Sequence, residues 1–294
     1  MHSLPTSPRL RQVAGILLAL TLVFSVAGCS TASTPKPAAA ETSDVVLAST
    51  TSTQDSGLFD VLIPAFQKAN PQYKVKVIAV GSGEAIKLGE TKDADVLLVH
   101  SPAAEKKFVA DGFATKRSDV MYNDFVIVGP PSDPAGVKGS TTTTEAVTKI
   151  VEAGKAGKAT FVSRGDASGT NAKELKLWAD AKVATPTPAA NPWYISTGQG
   201  MGETLKVANE KGAYTLTDRA TWLSMKDALP DLVILFEKDK ALLNQYGVIV
   251  IPDAKNQAGG QAFADYVLSP EGQKVIGAFG LEKYKEQLFT PNAK

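Results

Sequence analysis

The chain has 294 residues, 44% of them hydrophobic, with 31 Lys and Arg against 30 Asp and Glu, one cysteine and two histidines. A net charge this close to zero gives no electrostatic case for nucleic acid as a partner. So few cysteines and histidines leave Cys/His metal centres and Ser-His-Asp or Cys-His catalysis poorly supplied, and nothing in the composition asks for a metal or a cofactor.

Arg9 and Arg11 precede an apolar run over residues 13–26, too short for a membrane span and of the length of a signal-peptide core. Residues 1–28 are therefore expected to be a signal peptide. Its removal takes His2, Arg9 and Arg11 and leaves 29 basic against 30 acidic residues. Val26-Ala27-Gly28-Cys29 resembles a lipobox, in which Cys29 is lipidated and becomes the first residue of the mature chain. Residues 29–43 are small, polar and proline-bearing, with nothing to bury, and read as a flexible tether from membrane to folded domain.

Beyond the tether, short β-rich runs at residues 45–48, 75–80, 96–99, 125–128, 160–162, 214–217, 233–236 and 248–251 alternate with amphipathic helical stretches at 58–69, 103–111, 143–153 and 201–211. This alternation predicts an α/β fold with mostly parallel sheets. Roughly 250 residues exceed a comfortable single core, so two lobes are expected. The Pro/Gly-rich loop 129–136 is the clearest break, and the strand before it would serve as a crossing between lobes. A second crossing is expected near 243–250. The last stretch, 259–288, reads as helices, with Ser269-Pro270-Glu271 as a helix start.

Three strand-to-helix loops carry unusually many hydrogen-bond donors. In Ser163-Arg164-Gly165-Asp166-Ala167-Ser168-Gly169-Thr170, Arg164 offers a planar fork, Ser168 and Thr170 offer hydroxyls, and Gly169 lets its N–H be approached. The helix that follows, through Trp178, would point free N–H groups and its positive end at the same place. Ser168 or Thr170 as a simple cap, with Asp166 as turn chemistry, is the plainer reading of this segment. Ser49-Thr50-Thr51-Ser52-Thr53 follows the first strand and Gly81-Ser82-Gly83 the second, so both lie at carboxyl ends of the sheet, where open α/β sheets bind ligands. The three loops are expected to converge on one oxyanion. His100, at the end of a strand, reads as structural.

Taken together, Ser49-Thr50-Thr51-Ser52-Thr53-Gln54-Asp55-Ser56-Gly57, the segments 89–100 and 121–130, and Gly198-Gln199-Gly200-Met201-Gly202 resemble the tungstate-binding lipoproteins of bacterial ABC importers. The likeness runs from about Val45 to the C-terminus. It implies the two-lobed periplasmic-binding-protein fold of the second type, with lobes at 44–127 plus 248–294 and at 128–247 and the anion between them. Carried over residue by residue, it implies a site of Thr51, Ser52 and Ser82 from the first lobe and Arg164, Ser168, Gly169 and Thr170 from the second. Gln199 and Gly200 would form part of the wall, or a mere helix entry, and Arg219 would meet either the ligand or Asp218, a buried structural pair being the simpler role. The family's first loop usually begins with Thr where Ser49 stands, which keeps the hydroxyl. The resemblance further implies tungstate or molybdate as cargo, a membrane permease as partner, a monomeric binder, and a place outside the cytoplasm held by a lipid anchor.

The Arg-x-Asp-x-Ser-Gly-Thr pattern also occurs in phosphate-binding proteins. A selective phosphate site gains from a carboxylate that accepts the ligand's remaining proton, whereas tungstate and molybdate want donors only. Asp166 is expected to lock Arg164 and Asp55 to act at its own helix start. A secreted phosphoester hydrolase using Ser52 or Ser168 would need an activating base, and His100 and scattered carboxylates offer it no recognisable arrangement. A surface adhesin or signalling lipoprotein with a vestigial pocket is the third reading.

Overall fold

The computed structural model describes residues 42–294. The expected signal peptide, Cys29 and the tether up to residue 41 lie outside the described residues. Three strands form the heart of the first lobe. β1 (Ser43–Thr50) runs parallel to β2 (Tyr73–Val80) on one side and to β3 (Val96–Val99) on the other. The connections are helical: α1 (Thr51–Asp55) and α2 (Phe59–Ala69) lead from β1 to β2, and α3 (Ser82–Glu90) leads from β2 to β3. Strand alternation buries both faces of β1. Val45 and Leu47 pack with Leu58, Leu62 and Phe66, while Ala48 packs with Ala85, Leu97 and Phe108.

After α4 (Pro102–Ala110) comes β4 (Ser118–Gly129), a 12-residue strand that serves both lobes. Its first half, Ser118 to Asp124, pairs with β9 (Leu243–Val250), and its second half, Phe125 to Gly129, pairs with β7 (Thr215–Asp218) and β8 (Val233–Phe236). The second lobe is completed by α5 (Thr143–Lys155), β5 (Phe161–Ser163), α6 (Gly169–Asp180), β6 (Tyr194–Ser196), α7 (Met201–Lys211) and α8 (Arg219–Met225). Its core gathers Phe125, Ile127, Ile150, Phe161, Trp178 and Tyr214 on one side and Val126, Val162, Met201 and Leu205 on the other. The chain closes with α9 (Gln257–Leu268), α10 (Pro270–Ala278), α11 (Leu281–Tyr284) and β10 (Thr290–Pro291), which pairs with β4. Ser269 caps α10 by accepting from the Gly272 N–H at 3.2 Å, with Pro270 in the first turn.

The sheets are mixed rather than mostly parallel. β4 is antiparallel to β7, β8, β9 and β10, and β9 is antiparallel to β3. The cause is the crossings themselves: β4 leaves the first lobe and β9 returns to it, so they pass side by side in opposite directions.

Candidate oxyanion site

The β1–α1 turn is held by its own hydroxyls. Thr50 caps α1, its Oγ1 lying 2.7 Å from Thr53 Oγ1 and 3.2 Å from Ser52 Oγ. Ser49 donates its hydroxyl to the Leu98 carbonyl at 2.6 Å, which ties it to β3 and away from the turn's outer side. Across the cleft, the Ser163 hydroxyl donates to Glu174 Oε2 at 2.7 Å and accepts from the Gly165 N–H at 3.0 Å. Glu174 also accepts from Trp178 Nε1 and the Tyr194 hydroxyl, and burial raises its pKa. That buried carboxylate therefore shapes the loop that carries Arg164.

Arg164 is 2% exposed and gives two of its three nitrogens to Asp166, Nε to Oδ1 at 3.1 Å and Nη2 to Oδ2 at 2.5 Å. The fork is locked, as a bidentate Arg–carboxylate pair should be, and only Nη1 is left to point elsewhere. Ser168 caps α6, accepting from the Asn171 N–H at 3.0 Å, which leaves its own proton to donate. The plainer capping reading is thus true of Ser168 without exhausting its hydroxyl.

The lobes touch at these loops. The Gly83 N–H at the start of α3 donates to the Ala167 carbonyl at 2.7 Å. Asp55 Oδ2 accepts from the Gly202 N–H at the start of α7 at 3.1 Å. A pocket of about 370 Å³ opens between them, lined by Thr51, Gly81, Arg164, Asp166, Gln199 and Gly200, with the exposed Glu84 at its rim. Among the described residues, four buried polar atoms on these segments have no hydrogen-bond partner: Thr51 Oγ1, Ser82 Oγ, Arg164 Nη1 and Thr170 Oγ1. Leaving one such group unpaired costs about 1–3 kcal/mol, so four in touching loops mark a place built to meet an acceptor. The amino ends of α3 and α6 add their positive dipoles.

Of the seven residues singled out from the sequence, Thr51, Ser82, Arg164 and Thr170 carry unpaired polar atoms on the segments that meet here, Thr51 and Arg164 line the pocket, and Ser168 and Gly169 stand at the amino end of α6. Ser52 is different: its hydroxyl lies 3.0 Å from His100 Nε2. His100 is therefore not a bare strand-end histidine, and the Ser52–His100 contact is an arrangement that sequence reasoning missed. Burial, reinforced by the nearby Arg164 charge, holds its imidazole down at about 3. Asp55 does not act at its own helix start; it stands at the end of α1 and caps α7 of the other lobe, and burial raises its pKa. Arg219 does make a buried ion pair, but with Asp124 through Nε (2.8 Å) and Nη2 (2.6 Å) and with Glu237 through Nη1 (2.7 Å). Asp218 instead caps α8 through the Thr221 N–H and hydroxyl, and burial lifts its pKa to about 6.

A family model described as the PBP superfamily domain matches residues 35–271. The tungstate-binding protein TupA of Peptoclostridium acidaminophilum is 46% identical over 287 residues, 95% of this chain and 97% of its own. The chain belongs to the tungstate-binding protein family of the PBP superfamily. Among solved structures, that of the tungstate ABC transporter from Geobacter sulfurreducens is 49% identical with a TM-score of 0.71, covering 80% of this chain and 98% of that one. The tungstate-binding protein TupA from Desulfovibrio alaskensis G20 is 47% identical with a TM-score of 0.68, covering 85% and 99%. The family's fold is the two-lobed one described above, and its members are substrate-binding components of transporters.

Proposed function

We propose that this protein captures tungstate, with molybdate as a weaker second ligand, between its lobes and delivers it to the permease of an ABC importer. The observation that carries the reading is the set of four unpaired buried donors, Thr51 Oγ1, Ser82 Oγ, Arg164 Nη1 and Thr170 Oγ1, on loops from both lobes. Ser52, Ser168 and Gly169 complete the proposed site. The lobes comprise residues 44–124 plus 243–294 and residues 125–242, a few residues from the expected bounds because Phe125 to Gly129 pairs with β7 and β8 while Leu243 to Val250 pairs with β4 and β3. Phosphate is disfavoured because both oxygens of Asp166 already accept from Arg164, and Asp55 Oδ2 accepts from the Gly202 N–H, so neither is a bare carboxylate offered to a ligand proton.

The Ser52–His100 contact gives a hydrolase reading its one specific observation. It is weaker than binding: Ser52 is wholly buried, the third member of the row is the amide of Asn244, and an imidazole held at about 3 is a poor base near neutral pH.

An anion that binds only the folded state adds RT ln(1 + [L]/Kd), on the order of 4 kcal/mol at a thousandfold excess over Kd. Thermal melts should therefore show tungstate raising Tm most, molybdate next, and sulfate and phosphate far behind, with no turnover of chromogenic phosphoesters. The largest shift coming from phosphate would overturn the tungstate reading.

The protein works outside the cytoplasm as a monomer, tethered to the membrane through a lipid on Cys29. Durable anchoring takes about two acyl chains, which a diacylated cysteine supplies. Cys29→Ser should release the protein from the membrane fraction, as judged by blotting fractionated cells; full retention would exclude the anchor.

A further inference from the structure

His100 is joined to more than Ser52. Its Nδ1 lies 3.0 Å from Asn244 Oδ1, and the Asn244 amide nitrogen donates to Asn123 Oδ1 at 2.8 Å. Because that amide nitrogen is committed to Asn123, the Asn244 oxygen is the acceptor and His100 Nδ1 carries the proton. Nε2 then has a free lone pair, and the Ser52 hydroxyl 3.0 Å away donates into it. The ring is clamped against Tyr246, with centroids 4.8 Å apart. Asn244 lies on β9 and Asn123 on β4, the two strands that pass between the lobes. A single row of hydrogen bonds thus runs from the first donor loop to both crossing strands.

We propose that His100 is a positioning residue for oxyanion capture, which, as a neutral Nδ1–H imidazole anchored on Asn244, accepts the Ser52 hydroxyl and so fixes the turn that presents the Thr51 hydroxyl. The inference rests on the tungstate reading above. It makes Ser52 act by placement rather than through a hydroxyl bond to the anion. The charged groups acting on the ring, Arg164 and Lys173, are both cations and join burial in opposing its protonation.

Two measurements test it. Nitrogen NMR of histidine-labelled protein should show His100 protonated at Nδ1 and bare at Nε2, without titration between about pH 5 and 8, and Ser52→Ala should shift only the Nε2 resonance strongly. Calorimetry with sodium tungstate should show His100→Phe binding about tenfold or more weakly, and His100→Gln, which keeps an acceptor, within about threefold of the unaltered protein. Adding Ser52→Ala to His100→Phe should cost almost nothing further, as expected for two members of one row. An Nε2–H tautomer, unaltered affinity in His100→Phe, or additive losses would overturn the proposal. If His100→Phe does not fold, the tautomer and the Ser52→Ala shift decide alone. No tungstate binding by the unaltered protein would overturn the capture reading and this inference with it, a failure that arm identifies separately.

Discussion

Replacing Arg164 by alanine is expected to weaken tungstate binding by about thirtyfold to several thousandfold, the equivalent of roughly 2 to 5 kcal/mol. Two effects add. The guanidinium is the one cation among the proposed contacts, and its Nη1 is buried with no partner among the described residues. Its removal also strips both hydrogen bonds from Asp166, whose carboxylate then stands uncompensated beside a dianion. The double variant Arg164→Ala, Asp166→Ala should therefore recover part of the loss. Arg164→Lys should bind poorly as well, because an ammonium cannot make the two-pronged grip on Asp166 and still reach the anion. Titration calorimetry reads all three, and wild-type affinity in Arg164→Ala would remove the centre of the site.

Arg164 and Asp166 were legible in the sequence because they are two residues apart, and their geometry is dictated by one loop. The same is true of the caps at Ser168 and Ser269, each set by residues three apart. What the sequence hid are pairings across long separations. Asp55 meets Gly202 over 147 positions, His100 meets Asn244 over 144, and Arg219 meets Asp124 over 95. No local period carries such information. The first half of β4 was hidden for another reason. Ser118, Asp119, Asn123 and Asp124 give that stretch too little apolar alternation to read as a strand, yet it pairs along its length with β9. Its polar side chains are there because a crossing between lobes is lined by hydrogen-bonding partners: Asn123 binds Asn244, and Asp124 binds Arg219. The parallel β1–β2–β3 unit, fully apolar at its centre, was plain from composition. The direction of β9 against β3 was not, since antiparallel and parallel neighbours look alike in a short apolar run.

Gly169→Val should cost at least about a hundredfold in tungstate affinity, because the lobes would no longer close. A Cβ at Gly169 would stand 2.6 Å from the His100 carbonyl oxygen and 2.7 Å from its Nδ1, closer than side-chain carbons approach such atoms. Neither neighbour yields easily, since the carbonyl is main chain and the ring is held at both nitrogens. Strain therefore falls on the interlobe contact, and the route open to the molecule is hinge opening along β4 and β9. Gly83 makes the same demand from the other side, where a Cβ would lie 2.9 Å from the Ala167 oxygen that its own N–H binds. Stability without ligand should suffer little, because a glycine at a helix start gains helix preference when a side chain is added and the open form accommodates it. Gly139→Ala, where the nearest atom is the flexible end of Lys149 at 3.9 Å, is the matched control. Small-angle scattering should show compaction on adding tungstate in the unaltered protein and in the control, and none in Gly169→Val. Compaction and wild-type affinity in Gly169→Val would mean that the anion is held without apposition of α6 and the His100 strand end, and the interlobe site would fall with it.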